Sequence, residues 1–64
     1  MKVETVRDAA NNVIGYIEIE DNGNETLKNT KGKIKGTYEA DADHTRDKHY
    51  DIIAKGNVLR TMIC

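Results

Sequence analysis

The chain has 64 residues, with 10 basic and 11 acidic side chains, a formal net charge of −1 at pH 7 and a single cysteine. One cysteine excludes an intrachain disulfide scaffold and fits a reducing, cytoplasmic compartment. The balanced charge argues against general electrostatic capture of nucleic acid, and no apolar run approaches membrane-spanning length. A chain this short, with 38% hydrophobic residues, is expected to form one domain, residues 1–64, with a small core.

Three copies of one short pattern predict three β-hairpins, in repeats at about 3–20, 25–39 and 44–56. Each copy has a basic residue, then Asp or Asn, a short turn, and a strand with a β-branched and a small residue. Asp8, Asn29 and Asp47 stand first in the turns, where a short polar side chain accepts hydrogen bonds from the backbone that follows.

The fourth position of each turn favours positive φ, because the residue there closes the bulge of a longer hairpin. Gly32 adopts this conformation without steric cost and Asn11 at low cost, whereas Tyr50 suits it poorly. We therefore expect the third turn to be either built differently or strained. Between the first two hairpins, Asn22-Gly23 predicts a type I′ turn.

In chain order, period-two patterns predict six strands, at residues 1–7, 13–20, 25–29, 33–39, 44–48 and 51–55. The second strand is apolar on both faces, which favours a central strand covered on both sides. Leu27 is the only large apolar residue of the third strand, which we therefore predict at a sheet edge. Strict alternation would place each β-branched residue on one face with the small residue that follows it: Val13 with Gly15, Ile34 with Gly36, Ile52 with Ala54.

The ending, residues 57–64, changes to helical spacing of apolar residues, and Asn57 could cap a short helical turn. So short a helix needs a surface to pack on. That surface is either this sheet, which would make the ending a lid, or a second copy of the protein. We favour the second reading, which makes an interface of Val58, Leu59, Met62 and Ile63.

Segment 41–51 holds both histidines and four carboxylates. It begins like a calcium loop, but Arg46 holds the place of the required Gly and Ile52 that of the bidentate Glu. A solvated connector and polar strand is therefore favoured over a metal site, and no cofactor is expected. If the segment were one extended strand, a single face would carry the candidate ligands Asp41, Asp43, Asp47, His49 and Asp51.

Catalysis and nucleic-acid binding have weaker signals. His44 and His49 lack a nucleophile and an orienting partner at recognisable spacing, and there is no glycine-rich phosphate loop, so we predict no enzyme. Four lysines within residues 28–35 could lie on phosphate, with a tyrosine stacking on a base. Keeping an exposed hairpin soluble is the favoured role of Lys28, Lys31, Lys33 and Lys35.

The phrase Arg-Asp-x-x-Asn-x-Val-Ile-Gly-Tyr-Ile at residues 7–17, echoed twice, resembles the short β-hairpin repeats of bacterial proteins. The YD-type repeats of large Rhs toxins and wall-associated proteins are similar in style, as are small bacterial proteins of three hairpins with a Gly-Asn-x-Leu ending. The resemblance covers about residues 5–59 and lacks the Tyr-Asp step before the turn. It implies hairpin architecture and no catalytic residues.

These observations predict an all-β antiparallel meander of about six short strands, built from three repeated hairpins and closed by a short C-terminal helical turn. We expect a non-enzymatic interaction module that forms homo-oligomers, with a dimer favoured. The alternative is a small metal- or nucleic-acid-binding protein that uses segment 41–51 or the lysine hairpin 28–35.

Overall fold

A computed structural model describes residues 1–62 of the protein. Its six strands agree with the predicted ones to within one or two residues at each end, and a single 3₁₀ turn, Leu59–Thr61, follows them. The strands are β1 (Lys2–Arg7), β2 (Val13–Ile19), β3 (Glu25–Asn29), β4 (Ile34–Glu39), β5 (His44–Asp47) and β6 (Ile52–Lys55).

The strands form one antiparallel sheet in the order β1-β2-β3-β4-β5-β6, which confirms the predicted all-β meander. The prediction that β3 lies at an edge is wrong: it pairs with β2 on one side and β4 on the other. Its polar composition has another cause, since one sheet face is open to solvent and only Leu27 of β3 is fully buried on the other. Within residues 1–62, β1 and β6 are the edges.

A one-residue bulge in the second strand of each odd-numbered pair changes which residues share a face. Leu27 pairs with Gly36, but the next residue, Lys28, pairs with Ile34. Ile34 therefore lies on the face opposite Gly36, and the predicted unbroken alternation fails there. The same shift separates Val13 from Gly15 and Ile52 from Ala54.

The C-terminal segment 56–62, which we call the strap, crosses one face of the sheet and closes the core. Ile17, Leu27 and Leu59 are fully buried together, and Val6, Ile19, Tyr38 and Met62 pack around them. The predicted coverage of β2 on both faces is therefore wrong. Tyr16, on its other face, is partly exposed.

Two polar contacts fix the strap. The buried Thr45 hydroxyl donates to the carbonyl oxygen of Gly56 (2.6 Å) and accepts the backbone N–H of Val58 (3.1 Å). At the far end, the Arg60 guanidinium donates to the Glu4 carboxylate on β1 and lies 4.0 Å from a carboxylate oxygen of Glu25. The strap thus joins the last strands of the sheet to the first.

Candidate functional site

Three of the five turns lie at the same end of the sheet, because successive strands of a meander run in opposite directions. These are turn 1 (residues 8–12), turn 3 (29–33) and turn 5 (47–51), and we call this end the three-turn end. Turn 2 (20–24), turn 4 (40–43) and the amino terminus lie at the opposite, two-turn end. The side chains of the odd-numbered turns therefore all lie at the three-turn end.

The three turns have the same set of hydrogen bonds. In turn 1, the Asp8 carboxylate accepts the backbone N–H groups of Ala10 and Asn12, both at 2.9 Å, and the Asp8 carbonyl accepts the N–H of Asn11. Asn29 and Asp47 accept the equivalent bonds in turns 3 and 5. Local geometry is thus shared by the three hairpins, while their origin from one repeated unit stays a prediction.

The fourth turn position has positive φ in all three: 68° at Asn11, 83° at Gly32 and 65° at Tyr50. Turn 5 is therefore built like the others, and its Tyr50 occupies a conformation that bulky side chains disfavour. Its backbone is held by Asp47, whose carbonyl accepts the Tyr50 N–H, and by Arg46, which donates to the Tyr50 carbonyl (2.7 Å). The Tyr50 side chain stays exposed.

Turn 2 differs from its predicted type. A type I′ turn needs positive φ at both central residues, whereas in Asn22-Gly23 only Gly23 has it, at 93°. The backbone N–H of Gly23 donates to Glu20, as the fourth residue does in the other turns, and the Asn22 side chain accepts the N–H of Asn24. The glycine therefore serves the bulge position, like Gly32.

The candidate metal ligands of segment 41–51 do not share a strand face, because β5 covers only residues 44–47. Asp43 accepts a hydrogen bond from the Tyr38 hydroxyl (2.8 Å), and Asp47 accepts backbone N–H groups of turn 5, which lower the pKa of its carboxyl. Asp41, His49 and Asp51 are exposed in turns. Among residues 1–62, no three His, Cys, Asp or Glu side chains come together as a metal site requires.

The two histidines are also apart. His44 lies on the open sheet face with its Nε2 3.3 Å from Glu39, and the same carboxylate accepts a hydrogen bond from Arg46 (2.7 Å). These two contacts lower the pKa of Glu39, with the Arg46 hydrogen bond as the larger cause. His49 is exposed in turn 5. The cluster around Glu39 is a cross-strand charge network.

Charge is unevenly distributed along the strand direction. Toward the three-turn end lie six basic and three acidic residues, Arg7, Lys28, Lys31, Lys33, Lys35 and Lys48 against Asp8, Asp47 and Asp51, while Glu4, Glu18, Arg46 and Arg60 lie between the two ends. The two-turn end carries two basic and six acidic residues: Lys2 and Lys55 against Glu20, Asp21, Glu25, Glu39, Asp41 and Asp43. The near-neutral net charge hides this polarity, since composition averages over both ends.

The four lysines of the second hairpin are not equivalent. Lys28 pairs with Glu18 across the open face, with 3.0 Å between its Nζ and a carboxylate oxygen. Lys31 and Lys33 are exposed in turn 3, and neither has an ion-pair partner within residues 1–62. Lys48, in turn 5, is exposed in the same way. Three lysines without an ion-pair partner in the described residues thus lie at the turn tips, at the end of the sheet that also carries three aspartates.

The predicted interface of the ending is divided by the structure. Leu59 is fully buried against the sheet, Met62 packs on the same core and Val58 is half-buried. Ile63 lies outside the described residues. Leu59 cannot contact a second copy while the strap is in place. Its position is that of a lid on the sheet of its own chain.

Sequence reasoning missed the apolar residues that the fold leaves exposed. Ile52 and Ile53 on the edge strand β6 are 58% and 48% exposed, and Val3 on β1 is 57% exposed. For Ile34 and Ile52, the feature that strict alternation overlooked is the bulge, which moves both residues away from the core face. Large exposed apolar residues are Met1, Val3, Tyr16, Ile34, Tyr50, Ile52 and Ile53.

No protein-family model matches the chain, and comparison with curated proteins and with solved structures finds no significant match. Residues 1–62 include no helix long and apolar enough to cross a membrane.

Proposed function

We propose that the protein is a non-enzymatic interaction module that self-associates through the edge strand β6. The observation that supports this most directly is the pair Ile52 and Ile53, both about half exposed on a strand with no neighbour on its outer side within residues 1–62. An edge strand presents unpaired backbone N–H and C=O groups that favour addition of another strand. The proposal places the protein in the cytoplasm, since its single cysteine suits a reducing compartment.

β6 is a better self-pairing strand than β1, for reasons of charge. Antiparallel pairing of β1 about its centre would set Lys2 opposite Arg7 of the second copy, and like charges directly opposite are destabilising. The same pairing of β6 sets Ile52 opposite Lys55 and Ile53 opposite Ala54 of the second copy. Ile52 and Ile53 of each copy are then covered by β6 of the other copy.

The charge separation favours a closed pair over an open array. In an antiparallel β6–β6 pair, the second copy is turned end for end, so its acidic two-turn end lies beside the basic three-turn end of the first. In an array that joins β6 to β1 of the next copy, every molecule has the same direction and like ends lie together. Opposite charges attract across the pair, most strongly at low ionic strength.

Sedimentation equilibrium over a wide dilution range tests the proposal, with Cys64 replaced by Ser in every variant to exclude disulfide linkage. We expect the mass to rise from that of one chain to that of two, and the association to weaken between about 0.02 M and about 0.5 M salt. Replacing Ile52 and Ile53 with Thr keeps β-propensity and removes the apolar contact, so this variant should stay monomeric.

The matched control is Val3→Thr, which removes an equally exposed β-branched residue from the other edge and should leave the association unchanged. A mass of one chain at every concentration would contradict self-association. The β6–β1 array would instead be indicated by two results together: masses above two chains for the protein with Val3 intact, and loss of association in Val3→Thr.

A further inference from the structure

The three-turn end brings an exposed aromatic ring beside exposed lysines that come from a different hairpin. Turn 3 carries Lys31 and Lys33, and turn 5 carries Lys48 and Tyr50. Strands lie about 4.8 Å apart, so the two turns are separated by two strand spacings, about 10 Å. The four side chains are therefore presented at the same end of the sheet on turns about 10 Å apart, although they are up to 19 residues apart in sequence.

Tyr50 is not explained by packing. It is 58% exposed and absent from the core, while its φ of 65° belongs to a region where the sister turns have Asn11 and Gly32. A bulky residue in the left-handed region costs stability, and such strain is concentrated at functional positions. The turn itself would be satisfied by glycine, so the ring is what the tyrosine adds.

Together, these side chains are of the types that bind single-stranded nucleic acid. The lysines attract phosphates, against the opposing charge of Asp47 and Asp51 in turn 5, and an exposed aromatic ring stacks on an unpaired base of any identity. We infer that the three-turn end binds single-stranded nucleic acid, with phosphates on Lys31, Lys33 and Lys48 and a base on Tyr50. A duplex keeps its bases stacked inside and offers nothing to the ring.

The acidic two-turn end gives the binding a direction and limits its strength. It repels phosphate from the far side of the molecule, so the nucleic acid binds only at the three-turn end of the protein. Three lysine contacts on a single strand correspond to a slope of about −2 in log affinity against log salt concentration. The binding is therefore strongest at low ionic strength.

Fluorescence anisotropy with a labelled oligothymidine of about 15 nucleotides, within the site sizes of known single-strand binders, tests the inference. Tyr50→Gly is the decisive variant, because glycine relieves the strained φ and the variant is expected to be at least as stable as the natural chain. We expect its affinity to fall roughly 5- to 100-fold, as for loss of one stacked base, and Tyr50→Phe to retain affinity. Replacing Lys31 and Lys33 together with Gln should reduce the salt slope by about 1.4.

Lys2→Gln with Lys55→Gln is the matched control, since it removes as many positive charges at the two-turn end and should leave the affinity at the three-turn end nearly unchanged, because salt screens charges at that distance. The inference is overturned if oligothymidine fails to bind at low salt, or if Tyr50→Gly binds as well as the natural chain. Equal binding of polyglutamate or of a DNA duplex overturns it too, since either would indicate charge attraction without stacking. The monomeric variant with Thr at positions 52 and 53 should bind normally, which separates this test from self-association.

Discussion

Met62 fills the space above Gly36: the Met62 Cε lies 2.7 Å from the point that a Cβ atom on residue 36 would occupy. The carbonyl oxygen of Arg46, on the neighbouring strand, lies 3.0 Å from the same point. A glycine inside a strand is unfavourable unless something approaches closely, and here the close neighbour is the strap.

Gly36→Ala should therefore destabilise the fold. The methionine end can shift, but the Arg46 backbone cannot do so without disturbing the β4–β5 pairing. We expect a loss of about 1–3 kcal/mol, the usual cost of overpacking, measured as a lower midpoint in urea. A double-mutant cycle with Met62→Ala should show coupling between the two positions, and independent effects would contradict the contact.

Leu59→Ala should destabilise the protein by about 2–5 kcal/mol, the range for a fully buried leucine. Leu59 is one of three fully buried hydrophobic residues in the described chain, so the small core has little to replace it. Circular dichroism during chemical unfolding measures the change, with the exposed Ile34→Ala as the control for loss of an aliphatic side chain. A stable, native-like Leu59→Ala monomer would contradict the lid position of the strap.

Thr45→Val should loosen the strap. Valine has a similar shape but leaves the Gly56 carbonyl and the Val58 N–H without their hydroxyl partner, at about 1–3 kcal/mol for buried unsatisfied groups. Thr45→Ser keeps the hydroxyl and should lose less. Hydrogen exchange of the Val58 amide reports the effect locally, and equal protection in both variants would show that the hydroxyl does not hold the strap.

Tyr50→Gly should raise the stability of the folded state by about 1 kcal/mol, since glycine adopts positive φ without the steric cost of a side chain. The gain is offset in part by the greater freedom of glycine in the unfolded chain. Asn11→Gly provides the comparison, because asparagine already tolerates this region, and its gain should be smaller. A lower melting temperature for Tyr50→Gly would show that the ring stabilises the turn.

The protein should lose stability in acid, partly through Glu4. The hydrogen bond from Arg60 lowers the pKa of Glu4 below its ordinary value of 4.5. A lowered pKa in the folded state means that this contribution is present above pH 4.5 and is lost as the pH falls through the folded value. The melting temperatures of the natural chain and Glu4→Gln should therefore converge in acid. Glu20→Gln, exposed and away from the strap, should show no such convergence.

The turns and strands could be predicted from sequence because their determinants are local. Asp8, Asn29 and Asp47 each accept hydrogen bonds from residues within four positions, and this requirement does not depend on the rest of the chain. The consequence of the bulge is less local. Period-two counting placed Ile34 on the same face as Gly36, whereas one extra residue in β4 places it on the opposite, open face.

The sequence by itself thus determined the six strands, the positions of their turns and the antiparallel meander, since each rests on contacts between near neighbours, whereas the place of β3 inside the sheet and the type of turn 2 came from the structure. Only the tertiary structure decided where the strap lies, because Leu59 and Met62 would suit either this sheet or a second copy. It also decided the distribution of charge: net charge is a sum over the chain, whereas the excess of basic residues at one end and of acidic residues at the other depends on which end of the sheet each turn occupies. The candidate surface of Tyr50 and its neighbouring lysines exists only because alternate turns meet at one end.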